Sequence, residues 1–169
     1  MRNWICSLKY ALLILAGTGI TAYADQAVSL TGFQALLFNS KTGVFSDDML
    51  IKSGSELGNA PIGELASVST LIIVKVKFAK HAPISQSLRV RLIAIETGSM
   101  PFASKSKKWR DRVILDQKAI LGSVNDEGFT HVGFWLANTG CRSITLKASL
   151  IGISTPQSIS GVLPFACYE

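Results

Sequence analysis

Carboxylates are scarce in this chain, and proline, cysteine and histidine are scarcer still. The 169 residues hold 11 Asp and Glu against 17 Lys and Arg, with five Pro, three Cys and two His. Each shortage excludes a chemistry. A Ser-His-Asp triad needs an imidazole between a nucleophile and an acid. His81 falls in an expected loop and His131 in mid-strand, and the sequence places no nucleophile beside either. No His, Cys, Asp and Glu cluster has the spacing of metal ligands. G-x-S-x-G is missing. Residues 58–63 (GNAPIG) have phosphate-loop spacing, but Glu64 stands where that loop requires Lys. Ser104-Lys105-Ser106-Lys107 fits S-x-x-K, and Lys41-Thr42-Gly43 fits the K-T-G of penicillin-recognising enzymes. Here K-T-G comes first, S-D-N is absent, and the chain is too short for that fold. Asp47-Asp48 and Asn125-Asp126-Glu127 offer the hard oxygens that calcium takes, but neither resembles an EF-hand loop and both read as turns. Neither a cofactor nor a metal is expected, and the chain reads as a non-enzyme. A hydrolase working through His131 is the alternative from the enzyme class.

Long apolar runs are also missing, which bears on the N-terminus. Arg2 and Lys9 precede a short apolar stretch, ALLILA at 11–16, which weakens through Gly and Thr to Ile20. Ala22-Tyr23-Ala24 then supplies an A-x-A cleavage site ahead of Asp25. This is the charge order and length of a secretory signal peptide. A membrane anchor would need a longer span to cross about 30 Å of hydrocarbon. The expected organisation is a cleaved signal peptide at 1–24 and one domain at 25–169, exported to the periplasm or secreted. Cys6 leaves with the signal peptide, and it lies ahead of the apolar run, where a lipoprotein cysteine cannot sit. The remaining pair, Cys141 and Cys167, reads as one disulfide in an oxidising compartment. The bridge would close a loop of 27 residues, worth about 3.5 kcal/mol on chain entropy. Two free thiols, or a metal pair, are the competing readings.

What the sequence does have is alternation. Runs rich in β-branched residues recur between Gly, Asn and Pro. Strands are expected at 28–38 (interrupted by Gly32), 67–78, 87–96, 108–115, 129–137 and 143–151, with a last short one at 162–167. Residues 39–63 read as a long, partly ordered connection, with a short strand at 49–52. About seven strands with turn chemistry between them imply an all-β fold, a single antiparallel β-sandwich of immunoglobulin-like or C2-like type. In SITLKASLI, Ile144, Leu146, Ala148 and Leu150 share one face, and Ser143, Thr145, Lys147 and Ser149 the other. Asn138-Thr139-Gly140 reads as a turn joining 129–137 to 143–151 in a hairpin, with Trp135 or Phe134 in the core.

Charge is the remaining signal. Removing the signal peptide leaves fifteen basic against eleven acidic residues, net +4. Between Lys75 and Lys118 stand eleven basic and three acidic residues, net +8, and the rest of the mature chain carries −4. Such asymmetry points to an acidic partner. VKVKFAKHAPISQSLRVRL at 74–92 carries Lys75, Lys77, Arg89 and Arg91 on alternating positions. Paired as a hairpin, 67–78 and 87–96 would set Lys77 opposite Arg89 and Lys75 opposite Arg91. Val74, Val76, Phe78, Val90, Leu92 and Ala94 would then form the core face. Like charges directly opposite destabilise a sheet. Solvent and salt, nearby acids such as Asp47, Asp48, Glu56 or Glu64, or an external anion would have to offset them. Leu71, Ile73, Ile93 and Ile95 share the charged face and are expected under another strand. A second cluster, SKSKKWRDR at 104–112, sets Lys105, Lys107, Lys108 and Arg110 around Trp109, able to hold phosphates and stack an aromatic. The favoured reading is a solvated loop with Trp109 as the first core residue of the next strand. The function expected is non-catalytic binding of an anionic envelope component or an acidic protein surface through this basic sheet face. An inhibitor or immunity-type protein blocking an enzyme's acidic cleft is the alternative. Specific nucleic-acid binding and membrane spanning are not expected.

Overall fold

Period-two burial is what the strand-like runs deliver. Ser69–Phe78 alternates half-buried with buried residues up to the exposed Lys77, and Arg89–Glu96 alternates along its whole length. The computed structural model describes residues 28–50, 57–58, 69–79, 85–97, 110–137, 139 and 142–166. They form strands and turns with no helix. In chain order the strands are β1 (Val28–Asn39), β2 (Val44–Phe45), β3 (Leu57–Gly58), β4 (Ser69–Phe78), β5 (Arg89–Glu96), β6 (Arg112–Ile120), β7 (Phe129–Ala137), β8 (Ile144–Ile151), β9 (Ser158–Leu163) and β10 (Phe165–Ala166). Two four-stranded antiparallel sheets result: sheet 1 in the order β2-β1-β4-β7, and sheet 2 in the order β6-β5-β8-β9. A parallel pair, β10 with β3, accompanies them.

The sheets share one core. Ala35, Leu37, Ile72, Val74, Val76, Phe134 and Leu136 from sheet 1 meet Val90, Leu92, Ala94, Ile144, Leu146, Ala148 and Leu163 from sheet 2. This is the inward-facing alternation of a β-sandwich. At Gly161 of β9 a Cβ would stand 3.2 Å from the Phe33 ring of β1, so the missing side chain lets the two sheets close at that point. Gly32 marks a real irregularity: the β1–β4 register shifts between Leu30 and Gly32, and the extra residue, Thr31, donates its hydroxyl to the Lys75 carbonyl at 3.2 Å. Such a bulge keeps both flanking segments in phase with the core.

Both expected hairpins are overturned. β4 pairs with β1 and β7, and β5 pairs with β6 and β8, so the two strands lie in opposite sheets. Their apolar residues do share a core, but across the sandwich. The physical reason is that partnership follows burial of both apolar faces in one core and not adjacency in the chain: the observed pairing sets Lys75 against His131 and Lys77 against Phe129 in sheet 1, while Arg91 still stands opposite Lys118 in sheet 2. Likewise β7 belongs to sheet 1 and β8 to sheet 2. The link between them is a crossover, pinned by a 2.9 Å hydrogen bond between the buried hydroxyls of Thr139 and Thr70. Phe134 is the core aromatic of β7, and Trp135 faces out. The strand expected at 108–115 is displaced to Arg112–Ile120, and the 39–63 connection contains β2 and β3. Residues 49 and 50 lie in a turn, and 51–52 fall outside the described residues.

Candidate interaction surface

The outer face of sheet 1 is built from the residues that alternate with the core set. β1 contributes Gln34, Leu36 and Phe38; β4 contributes Leu71, Ile73, Lys75 and Lys77; β7 contributes Phe129, His131, Gly133 and Trp135. The tight β1–β2 connection is set by Asn39, whose Oδ1 accepts from the Lys41 and Thr42 amides at 3.0 and 3.2 Å. That turn brings Phe45 opposite Phe38. Trp135 completes a trio: Phe38–Phe45 centroids are 5.5 Å apart, Phe38–Trp135 5.7 Å and Phe45–Trp135 6.3 Å, the last two edge-on. Edge-on aromatic packing of this kind is favourable beyond area burial. Trp135 stands opposite Leu71 in the β4–β7 register, and Phe45 and Trp135 remain 44% and 43% exposed.

The opposite end of the same face is cationic. Lys77 is exposed, and its Nζ sits 5.3 Å from the Phe129 ring centroid, a cation–π distance. Lys75 is half-buried opposite His131. The four strands of sheet 1 contain no Asp or Glu. Among the described residues neither lysine has a carboxylate within ion-pair distance.

Sheet 2 treats its arginines differently. Arg91 grips Asp116 of β6 bidentately, Nε–Oδ1 2.7 Å and Nη2–Oδ2 2.6 Å. The hydrogen bond from Arg91 holds the Asp116 carboxyl below the usual carboxylate range, against an opposing desolvation, and the same bond raises Arg91. Arg89 donates to the Gln86 and Leu88 carbonyls. At the end of β5 the nearly buried Glu96 accepts from Arg112, Oε2 standing 3.1 Å from Nε and 2.9 Å from Nη2, with Arg142 Nη1 at 3.9 Å.

The four cations expected on one basic face are therefore divided: Lys75 and Lys77 lie on the outside of sheet 1, Arg89 and Arg91 on the outside of sheet 2. Arg110 is exposed just before β6. Lys105, Lys107, Lys108 and Trp109 lie outside the described residues, as do Cys141, Cys167 and the stretch 1–24. Sequence reasoning missed the aromatic trio and Asp116. One signal was available: Trp135 has the parity of His131 and Gly133, not of Val132 and Leu136. Among the described residues no group of three or more His, Cys, Asp or Glu could hold a metal, and no helix is long and apolar enough to cross a membrane. Comparison with family models, curated proteins and solved structures finds no match to this chain.

Proposed function

We propose that this chain is an exported, non-catalytic binding protein that recognises an acidic protein surface through the outer face of sheet 1. The observation that carries the reading is one face with two chemistries: exposed Phe45 and Trp135 at one end, and Lys75 and Lys77 at the other with no carboxylate in any strand of the sheet. Exposed aromatics at a packed cluster are the usual anchors of protein interfaces. Lysines beside them, with no carboxylate in ion-pair distance among the described residues, select an acidic partner and speed its approach. Arg89 and Arg91 carry no weight here, since Asp116 and backbone carbonyls already hold them. The strand order supports an immunoglobulin-like sandwich, in which three strands (β1, β4, β7) face four (β6, β5, β8, β9) with crossovers between sheets. We include the Cys141–Cys167 bridge and cleavage before Asp25 in this proposal. Mature protein should then begin at Asp25 and weigh two hydrogens less than its reduced form; a free thiol at Cys141 would exclude the bridge.

The test is a pull-down from envelope extract at low and moderate salt. Native protein is compared with a Lys75→Gln/Lys77→Gln variant and with Phe45→Ser, each checked for an unchanged melt. A partner held by the native chain, weakened by salt and lost by both variants is the expected result. Equal recovery from all three would make this face a solvated sheet surface and overturn the reading.

A further inference from the structure

The two edges of sheet 1 are finished differently. Along β1, residues 46–49 occupy the edge: Ser46 N–H donates to the Leu37 carbonyl and Met49 N–H to the Ala35 carbonyl, both at 2.9 Å. The Ala35 and Leu37 amides in turn donate to Asp48 Oδ1 and Ser46 Oγ, each at 3.0 Å. From Ala35 to Asn39 that edge is closed. At the other side stands β7, nine residues long, with no proline, no Lys, Arg, Asp or Glu, and an unbroken register to β4. Charges, prolines, bulges and covering loops are how sheet edges are normally blunted. β6 has three such charges (Arg112, Asp116, Lys118) and a register shift between Ala94 and Ile95. β9 is six residues long and meets Pro164 directly after Leu163.

The phase of β7 can be read from its first residue. Phe129 donates its N–H to Asn125 Oδ1 and accepts from the Asn125 N–H, both at 2.8 Å, so its backbone groups point away from β4. Alternation then turns the N–H and C=O of His131, Gly133 and Trp135 the same way. Among the described residues no hydrogen bond closes them.

Gly133 sits at the centre of that edge. It does not have a positive φ. A Cβ there would meet only Leu71 Cδ1, at 3.4 Å. Neither conformation nor crowding calls for glycine, which weakens a strand and commonly marks a place where another backbone comes close. The gap it leaves lies on the outer face, between His131 and Trp135, opposite Ile73.

We infer that β7 accepts an extended acidic segment of a partner protein as an added strand, with backbone bonds to His131, Gly133 and Trp135, an apolar side chain over Gly133, and a carboxylate beside His131 and Lys75. This is strand addition, in which main-chain bonds give affinity and alternate side chains give specificity. It rests on the reading of sheet 1 as the contact surface and names the form of the partner. A second copy of this chain fits less well, because pairing β7 with itself about Gly133 brings two sets of Lys75 and Lys77 onto one continuous face.

The experiment selects a displayed library of random twelve-residue peptides on the exported full chain. The strongest peptide is then synthesised, and amide hydrogen exchange is followed with and without it. The expected peptides alternate apolar residues and carry Asp or Glu. The bound peptide protects the amides of His131, Gly133 and Trp135. Gly133→Val weakens it at least tenfold without lowering the melt, and N-methylation of alternate peptide amides abolishes binding. No enrichment, or peptides without an acidic excess, overturns the inference. Binding that is lost in Lys75→Gln/Lys77→Gln but leaves the three amides unprotected removes strand addition and keeps the contact face. Binding indifferent to both the lysines and Gly133 removes both. Protection that rises with protein concentration in the absence of peptide assigns the edge to a second copy and overturns the acidic segment.

Discussion

The Thr70–Thr139 bond distinguishes the observed crossover from a β7–β8 hairpin, and a double-mutant cycle reads it. Thr70 is 0% and Thr139 3% exposed, their hydroxyls 2.9 Å apart. Valine replaces a hydroxyl with a methyl of nearly the same shape. Either single change strands the other hydroxyl in a buried site, at a cost of about 1–3 kcal/mol. Taking about 1.5 kcal/mol, and a urea slope of about 2 kcal/mol/M for a chain of this size, each single variant should lose roughly 0.7 M in midpoint. The double variant Thr70→Val/Thr139→Val buries two matched apolar groups and should return close to the parent. The resulting non-additivity is about 3 kcal/mol, the upper end of what contacting residues show. Urea unfolding followed by tryptophan fluorescence measures all four chains. A silent Thr139→Val, or two singles that simply add, would mean that Thr139 sits in solvent as a hairpin turn residue and that the crossover is wrong.

The Arg91–Asp116 pair makes a pH prediction. Folding depresses the Asp116 pKa, so protonation favours the unfolded chain. The contribution is full above the unfolded value near pH 4 and is lost as pH falls through the lower folded value. Unfolding midpoints of the parent and Asp116→Asn should differ at neutral pH and converge in acid; a constant gap down to pH 2 would refute it. Two glycines give a matched contrast. Gly152 has φ +95°, and a Cβ there would stand 2.9 Å from the Ser87 carbonyl oxygen, so Gly152→Ala should cost about 1–3 kcal/mol. Gly133→Ala should be neutral or stabilise by up to about 1 kcal/mol, and equal thermal melts for the two variants would contradict the backbone described at 152.

Face assignment was legible in the sequence because it depends only on neighbours two residues away. Val74, Val76 and Phe78, Val90, Leu92 and Ala94, and Ile144, Leu146, Ala148 and Leu150 all lie where alternation puts them. Strand partnership was not legible, because it is decided by a core assembled from the whole chain. Reasoning from adjacency paired β4 with β5 and β7 with β8, when each pair straddles the sandwich. β6 was displaced because an exposed edge strand has weak alternation: Val113 and Ile120 are 59% and 66% exposed. The candidate site fared similarly. Lys75 and Lys77 were found by charge, but the aromatics beside them come from β1, β2 and β7, and no local pattern links Phe38 and Phe45 to Trp135. Asp116 as the partner of Arg91 likewise required the β5–β6 register.

The order of strands within the sheets also sets an order in time. Sheet 2 contains two connections between sequence neighbours, β5 to β6 and β8 to β9. Beyond the small β1–β2 turn, sheet 1 has none: Phe33 must find Val74, and Val74 must find Val132. Pairings this distant must close long loops before any contact rewards them, and they form slowly. The β5–β6 and β8–β9 hairpins can form early, but sheet 2 also needs pairs as distant as Arg89 with Ile151, and the face with the aromatic trio stays incomplete until the chain through Ala137 is available. A chain interrupted before that point would expose the inner surfaces of β1 and β4, with no β7 to flank them.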